Sequence, residues 1–281
     1  MRFSILLILS ICCIQPYAQA QYWEFGAAAG ITNYHGDLAP DFSLQAPGVA
    51  VNAFARYNID SRLCFRVGAA VGTMSASDAN SNNAYQQARN LSFKSEVIEG
   101  SAVFEFNFLP YHHRTRRGKN GYGTFTPYMV AGVGVFRFNP KAKYKESYYP
   151  LQPLGTEGQD IGSEYSLIQG NLIIGGGFKI DIGKRVSLNI EGSTRILFTD
   201  YLDDVGGTYA NARVVAGQRG SLGVVAAALA DRSVEIENAT RLGSEGKQRG
   251  DSKTNDGYTM FTIGIHYTVY NLECPAYSFN Y

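Results

Sequence analysis

A lipid-modifying or hydrolytic site needs a nucleophile with a base in hydrogen-bond reach. The chain has four histidines to supply that base, at positions 35, 112, 113 and 266. His266 shares one face of a strand-like stretch with Thr262, Gly264 and Thr268, so a Thr/Ser–His–Glu arrangement is open there. A satisfied member of a polar interior is the plainer reading, and the expectation is that the protein is not an enzyme. His35 and Asp37 flank Gly36; a turn built on the glycine accounts for them, and they are too few to ligate a metal. Asp200, Asp203 and Asp204 offer oxygens to a hard cation such as Ca²⁺, but without the spacing of an EF-hand loop. A loop-capping role fits that run better. No catalytic residue, metal site or cofactor is expected.

The elements that must position these residues follow from export and alternation. Arg2, an apolar run over residues 5–14 and Ala18-Gln19-Ala20 mark residues 1–20 as a signal peptide, with a mature start at Gln21. No mature stretch is apolar for long enough to form a membrane helix. Nineteen tyrosines, sixteen phenylalanines and thirty-one glycines suit a transmembrane barrel with aromatic girdles. A net charge of +1 gives no argument for nucleic acid.

Residues 258–270 set Phe261, Ile263, Ile265, Tyr267 and Val269 on one face and Met260, Thr262, Gly264, His266 and Thr268 on the other. Side chains of a strand alternate between faces, so this reads as the closing strand of a barrel, lipid outside and lumen inside. Seven more segments alternate likewise: residues 23–33, 49–58, 63–72, 93–108, 125–138, 170–182 and 186–198. Their phases place Glu24, Arg56, Arg66, Glu99, Glu105, Lys179, Glu191 and Arg195 inside. The segment 125–138 is ambiguous; setting Arg137 inward puts Tyr128, Val130, Phe136 and Phe138 outward. The expected fold is all-β, an eight-stranded antiparallel transmembrane β-barrel over residues 21–270. A lumen of that size is filled by side chains, and buried charges must pair. The eight charges therefore read as a salt-bridge plug, which argues against a porin.

Connections alternate in length. Residues 58–61 and 183–184 are tight turns, whereas 34–47, 75–92, 139–167 and 199–257 are long. Outer-membrane barrels keep short turns in the periplasm and long loops outside, so both termini are expected in the periplasm. The last loop is too long to lack structure; its Ala-rich residues 222–232 predict a short helix within a cap. One turn, 109–123, is long for the periplasmic side and carries His112, His113, Arg114, Arg116, Arg117 and Lys119. It is either a solvated basic loop or a docking site for a periplasmic partner or inner-leaflet phosphates. A tail, residues 271–281, overruns the barrel and offers Tyr277 and Phe279 for contact. Cys64 and Cys274, the cysteines left after cleavage, fall at the same end and form a candidate disulfide pair stapling the tail.

Several blocks resemble the PorG-like outer-membrane barrels of Bacteroidota. They are Gly30-Ile31-Thr32-Asn33-Tyr34-His35-Gly36-Asp37-Leu38, Phe125-Thr126-Pro127-Tyr128, Phe198-Thr199-Asp200-Tyr201-Leu202-Asp203-Asp204-Val205 with Gly207-Thr208-Tyr209, and Gln248-Arg249-Gly250-Asp251-Ser252-Lys253 with Asn255-Asp256. The chain departs from that pattern at Gly257, where a bulky aromatic is expected. The resemblance implies a structural component of the type IX secretion system, associated with a periplasmic ring of a PorK-like lipoprotein and a PorN-like partner. The basic turn and the tail would then face the ring. An alternative is a barrel that works through its external loops, in adhesion or membrane integrity, with lipopolysaccharide as its neighbour.

Overall fold

The computed structural model describes residues 22–39, 47–111, 125–183, 185–236 and 241–269. The expected signal peptide, the basic stretch His112 to Lys119, and the tail with Cys274, Tyr277 and Phe279 lie outside those residues.

Eight long strands close into an antiparallel barrel: β1 (Tyr22–His35), β2 (Gly48–Asn58), β3 (Leu63–Ser77), β4 (Ser92–Asn107), β5 (Phe125–Tyr144), β7 (Ile168–Asp181), β8 (Val186–Leu197) and β9 (Gly257–Val269). Each pairs with its neighbours in sequence order, and β1 pairs with β9 to shut the ring, Trp23 opposite Val269 and His35 opposite Gly257. Closure leaves no free edge, which a bilayer without hydrogen-bonding solvent requires. A short strand, β6 (Ser147–Pro150), folds back on the projecting end of β5 outside the ring.

The outward face is a belt of exposed apolar residues, among them Val51, Val71, Ile98, Val133, Ile174, Ile263 and Ile265. Soluble monomers do not tolerate a patch of this extent, and it fits the hydrocarbon of a bilayer. Aromatic rings gather at the short-turn end: Trp23 lies 5.0 Å from Tyr57, Phe65 5.2 Å from Phe104 and Phe125 5.5 Å from Phe178, centroid to centroid. Asp60 ties the β2–β3 turn, its carboxylate accepting the Arg62 and Leu63 amides at 2.6 and 2.8 Å.

The opposite end carries the long connections and their helices: α1 (Ala84–Arg89), α2 (Ala212–Gln218) and α3 (Gly223–Ala230). The last of these is the helix expected from the Ala-rich run. It packs as part of a cap, with Ala226 and Leu229 in one apolar core with Met74, Phe93, Val97, Phe136, Phe138, Leu202 and Met260. That core is the upper lumen continued into the loops.

It also corrects the phase of β5. Tyr128, Val130, Phe136 and Phe138 point inward and are buried, while Arg137 is exposed on the outer face between Ile98 and Ile168. Setting Arg137 inward supposed a lumen polar along its whole length. Its upper half is apolar, so β5 is greasy on both faces there and an arginine is free to stand outside.

Candidate functional site

Three levels of side chains close the barrel from the short-turn end upward. At the mouth, the chain leaving β4 turns inward at Tyr111, whose amide donates to Ser61 O at 2.9 Å. The buried Tyr111 hydroxyl contacts Asp181 and donates to Ser187 Oγ at 2.9 Å, which donates in turn to Asp181 at 2.7 Å. A ring so held fills the opening where β7 ends and β8 begins.

The second level is the waist, where the strand register sets Glu24 opposite Arg56 and Arg56 opposite Arg66. Arg56 reaches Glu24 at 2.6 Å and Glu105 at 2.8 Å. Arg66 reaches Glu105 at 3.0 Å and, with both terminal nitrogens, Glu191 at 2.7 and 3.0 Å. Lys179 meets Glu105 at 2.7 Å. One step higher, Glu99 takes Arg195 at 3.2 Å, the Tyr258 hydroxyl at 2.6 Å and the Asn171 amide at 2.9 Å. The eight charges named from sequence thus meet in one connected lumen, four carboxylates against four cations. The side chains of Arg56, Lys179 and Glu105 are 0% exposed, shut off from bulk solvent. Burying these ions is tolerable only because the set is neutral and each has a partner.

His266 lies beside this network, Nε2 3.3 Å from Glu24 Oε2, its ring 6.4 Å from that of Phe54. Cys64 is a buried free thiol within 3.0 Å of Asn58 Oδ1. It lies among Asn58, Asn107 and Lys179 inside the lumen rather than on a rim.

The third level is the cap, and three of the four blocks that carry the resemblance converge in it; Phe125-Thr126-Pro127-Tyr128 instead opens β5 at the short-turn end. The Tyr34 hydroxyl lies 2.6 Å from Asp203 Oδ2 and 2.9 Å from Asp256 Oδ1. The other oxygens of those carboxyls take the amides of Val205 and Leu202, both at 2.9 Å. Asp37 Oδ1 takes the Asp251 amide at 2.8 Å, and the Asp37 carbonyl takes Gln86 and Arg89 of α1 at 2.8 and 2.9 Å. Arg249, 2% exposed, binds Glu157 at 3.0 Å, Asp204 at 3.5 Å and the Ala230 carbonyl that ends α3 at 3.2 Å. One guanidinium therefore ties the connection before β7 to two distant stretches of the last connection, using its fixed fork of donors.

Burial pushes the Asp256 carboxyl up to about 8, with Asp200 adding to the shift against the Tyr34 hydrogen bond. Asp203 is raised by burial and then by Asp256. One hydroxyl hydrogen cannot serve two carboxylates, so the Tyr34 pair is satisfied when one of the acids carries a proton and donates back. Asp204 is raised to about 6 by burial against the pull of Arg249. Asp200, lifted to about 8 by burial and by Asp37, stands at the edge of this group. Among the described residues no three histidines, cysteines or carboxylates come together as a metal site. Asp203 and Asp204 are instead bonded into the cap. His35 packs over Gly257, where an added Cβ would meet its Nε2 at 2.3 Å, so the glycine that departs from the family pattern leaves room for the imidazole.

Glu157 and Arg89, central to the cap, were not singled out from sequence, and Tyr34 stood out only as one member of a resembling block. Each draws its role from partners more than forty residues away.

A family model described as "Domain of unknown function (DUF6089)" matches residues 2–216. The chain belongs to that family. A search of curated proteins finds no match. Among solved structures the chain is similar to Neisserial surface protein A (NspA), at 12% identity over 89% of this chain and 99% of that one, with a TM-score of 0.41. It is also similar to Ail, the attachment invasion locus protein of Yersinia pestis, crystallised with the heparin analogue sucrose octasulfate, at 7% identity over 89% and 100%, TM-score 0.41. A third is the N-terminal β-barrel domain of Pseudomonas aeruginosa OprF, at 11% identity over 89% and 100%, TM-score 0.36. The barrel is evident in its own strand pairing and apolar belt.

Proposed function

We propose that the protein is a non-conducting outer-membrane anchor of the type IX secretion system. In this reading it holds the periplasmic ring formed by a PorK-like lipoprotein and its PorN-like partner. The observation that carries the reading is the closure of the lumen at three levels, by Tyr111, the charged waist and the cap. A barrel closed in this way offers cargo no route, and what it has left to work with are its two ends. The capped end would face outward and both termini the periplasm, because long connections of such barrels gather outside. The basic stretch Arg114, Arg116, Arg117 and Lys119, with His112 and His113, and the tail around Tyr277 and Phe279 would then face the ring. The secretion assignment itself is supported by the sequence resemblance. It is also supported by where three of the four resembling blocks fall: they build the cap, which reads as a scaffold.

The test is a mild-detergent pull-down of the tagged native protein from its own outer membrane, read by mass spectrometry. Recovery of both ring proteins, reduced by charge reversal at Arg114, Arg116 and Arg117, is the expected result. A barrel recovered alone would sink the anchor.

A second reading is favoured by the cap's exposed apolar residues, Ile161 and Val224 at 72% and Val234 at 59%. They would suit a barrel that works through its external loops in adhesion or membrane integrity. Deleting the tip around Val224 would then abolish function while leaving ring recovery intact.

A further inference from the structure

Within the strands of the described residues, the outward-facing lysines, arginines, aspartates and glutamates all belong to β4 and β5. They are Lys94, Glu96, Arg137, Lys141 and Lys143, four cations and one anion, all toward the capped end. The rest of the outer surface is apolar, small or neutral polar. This is a local charge patch on an otherwise uncharged wall.

Its internal geometry is unfavourable without a counter-ion. Lys94 lies directly opposite Lys141 across the β4–β5 pair, an arrangement of like charges that destabilises a sheet. Glu96 offers little relief, standing 3.9 Å from Lys141 with the two side chains 68% and 34% exposed. Among the described residues Lys94 and Arg137 have no ion-pair partner. Lys94, Glu96, Lys141 and Tyr148 of β6 line a cleft of about 170 Å³, room for a phosphate-sized group. Lys143 stands on the same face opposite Tyr148.

The patch is continuous with the lipid-facing belt. Along β5 the outward residues run Met129, Ala131, Val133, Val135, then Arg137, Asn139, Lys141 and Lys143. Arg137 sits at the change, flanked by Ile98 and Ile168, where a long basic side chain lays its stem on acyl chains and its head among headgroups.

We infer that the β4–β5 face is a binding site for the phosphate-bearing headgroup of a lipid in the outer leaflet. Arg137 meets the headgroup at the chain boundary, and Lys94 and Lys141 enclose a phosphate in the cleft. Arginine pairs with phosphate through two parallel donors and lysine as a point charge. The seat directly above the apolar belt favours a lipid over a soluble anion, because only a lipid places its phosphate there while its chains lie on Val133, Val135, Ile98 and Ile168. The choice of leaflet rests on the orientation proposed above.

The test reconstitutes the full barrel in phosphatidylcholine nanodiscs doped with bisphosphorylated lipid A or with lipid A stripped of its phosphates. Retained lipid is counted by native mass spectrometry. The variant is Lys94→Gln/Arg137→Gln/Lys141→Gln; its positions are on the outer surface, and heat-modifiable gel mobility verifies its fold. Each cation near a charged membrane surface contributes about fivefold in affinity, so the triple variant should lose about a hundredfold toward phosphorylated lipid A. Stripped lipid A should bind both proteins equally and weakly. Equal retention of phosphorylated lipid A by the variant, or equal retention of the stripped form by the native protein, would overturn the site. Release of the lipid by millimolar inorganic phosphate would make it a free-anion site and overturn the lipid assignment. Separately, Lys143→Cys should react with a membrane-impermeant maleimide on intact cells. Failure to label, with lipid binding preserved, would place the patch at the inner leaflet and refute the orientation rather than the chemistry.

Discussion

Glu105 is the hub of the waist, and replacing it with glutamine is the sharpest test of the plug. Its two oxygens hold three cations: Arg66 at 3.0 Å, and Arg56 and Lys179 at 2.8 and 2.7 Å. Glutamine keeps the volume and removes the charge. Two of the cations keep another carboxylate, since Arg56 still has Glu24 at 2.6 Å and Arg66 still has Glu191 at 2.7 Å. Lys179 is left with the Asn107 carbonyl oxygen at 3.1 Å and two aromatic faces, Tyr128 at 4.8 Å and Tyr111 at 5.9 Å from ammonium to ring centre. Its side chain is 0% exposed, so the charge is stranded. Breaking a buried pair from one side costs about 3–5 kcal/mol. Glu105→Gln should therefore unfold at markedly lower urea in lipid vesicles, followed by the gel-mobility difference between heated and unheated barrel. Adding Lys179→Met removes the stranded charge and should recover about 2 kcal/mol or more, the coupling expected of direct partners. If the single variant costs under about 1 kcal/mol, or the double variant is no more stable than the single, the balanced-plug account is wrong.

The cap should loosen as the medium becomes alkaline. Asp256 and Asp200 titrate near 8 in the folded cap, against about 4 for a free aspartate. The folded cap thus holds more protons than the open one between these values, and stability falls as pH rises through that window. Hydrogen-exchange protection at residues 199–205 and 249–256, corrected for the intrinsic rate at each pH, should be lower at pH 9 than at pH 5; equal or higher protection at pH 9 would contradict the shared-proton geometry at Tyr34. Arg249→Met should open the cap locally, at a cost of about 3 kcal/mol, while leaving the barrel intact. Proteolysis confined to the long-loop end reads that out, and unchanged resistance would show that Arg249 is not the tie. Cys64 should resist maleimide in the native barrel and react only after unfolding, whereas rapid native labelling would place it outside the closed lumen.

The convergence of three of the four resembling blocks in the cap changes what they mean. In sequence, the Thr199-to-Val205 aspartates look like candidates for a cation. Folded, Asp203 and Asp204 accept hydrogen bonds from Tyr34, Tyr165 and Thr156 at 2.6, 2.7 and 2.5 Å. Asp203 and Asp204 spend their oxygens on holding the cap to the barrel.

What the sequence determined by itself was the barrel and most of its inside-outside order. A period of two along β1, β2, β3, β4, β7, β8 and β9 is a local property, because each strand need only separate lipid from lumen. Charge residues in phase with that period could be assigned to the lumen before any partner was known, and there they lie in mutual contact. Tertiary structure alone decided the rest. The phase of β5 was hidden because the lumen is polar at the waist but apolar beneath the cap, so Phe136 and Phe138 turn inward and Arg137 outward. The cap was hidden for a different reason. Its stability comes from single side chains such as Arg249 and Tyr34 that join segments far apart in the chain, and loops carry no period from which such meetings could be read.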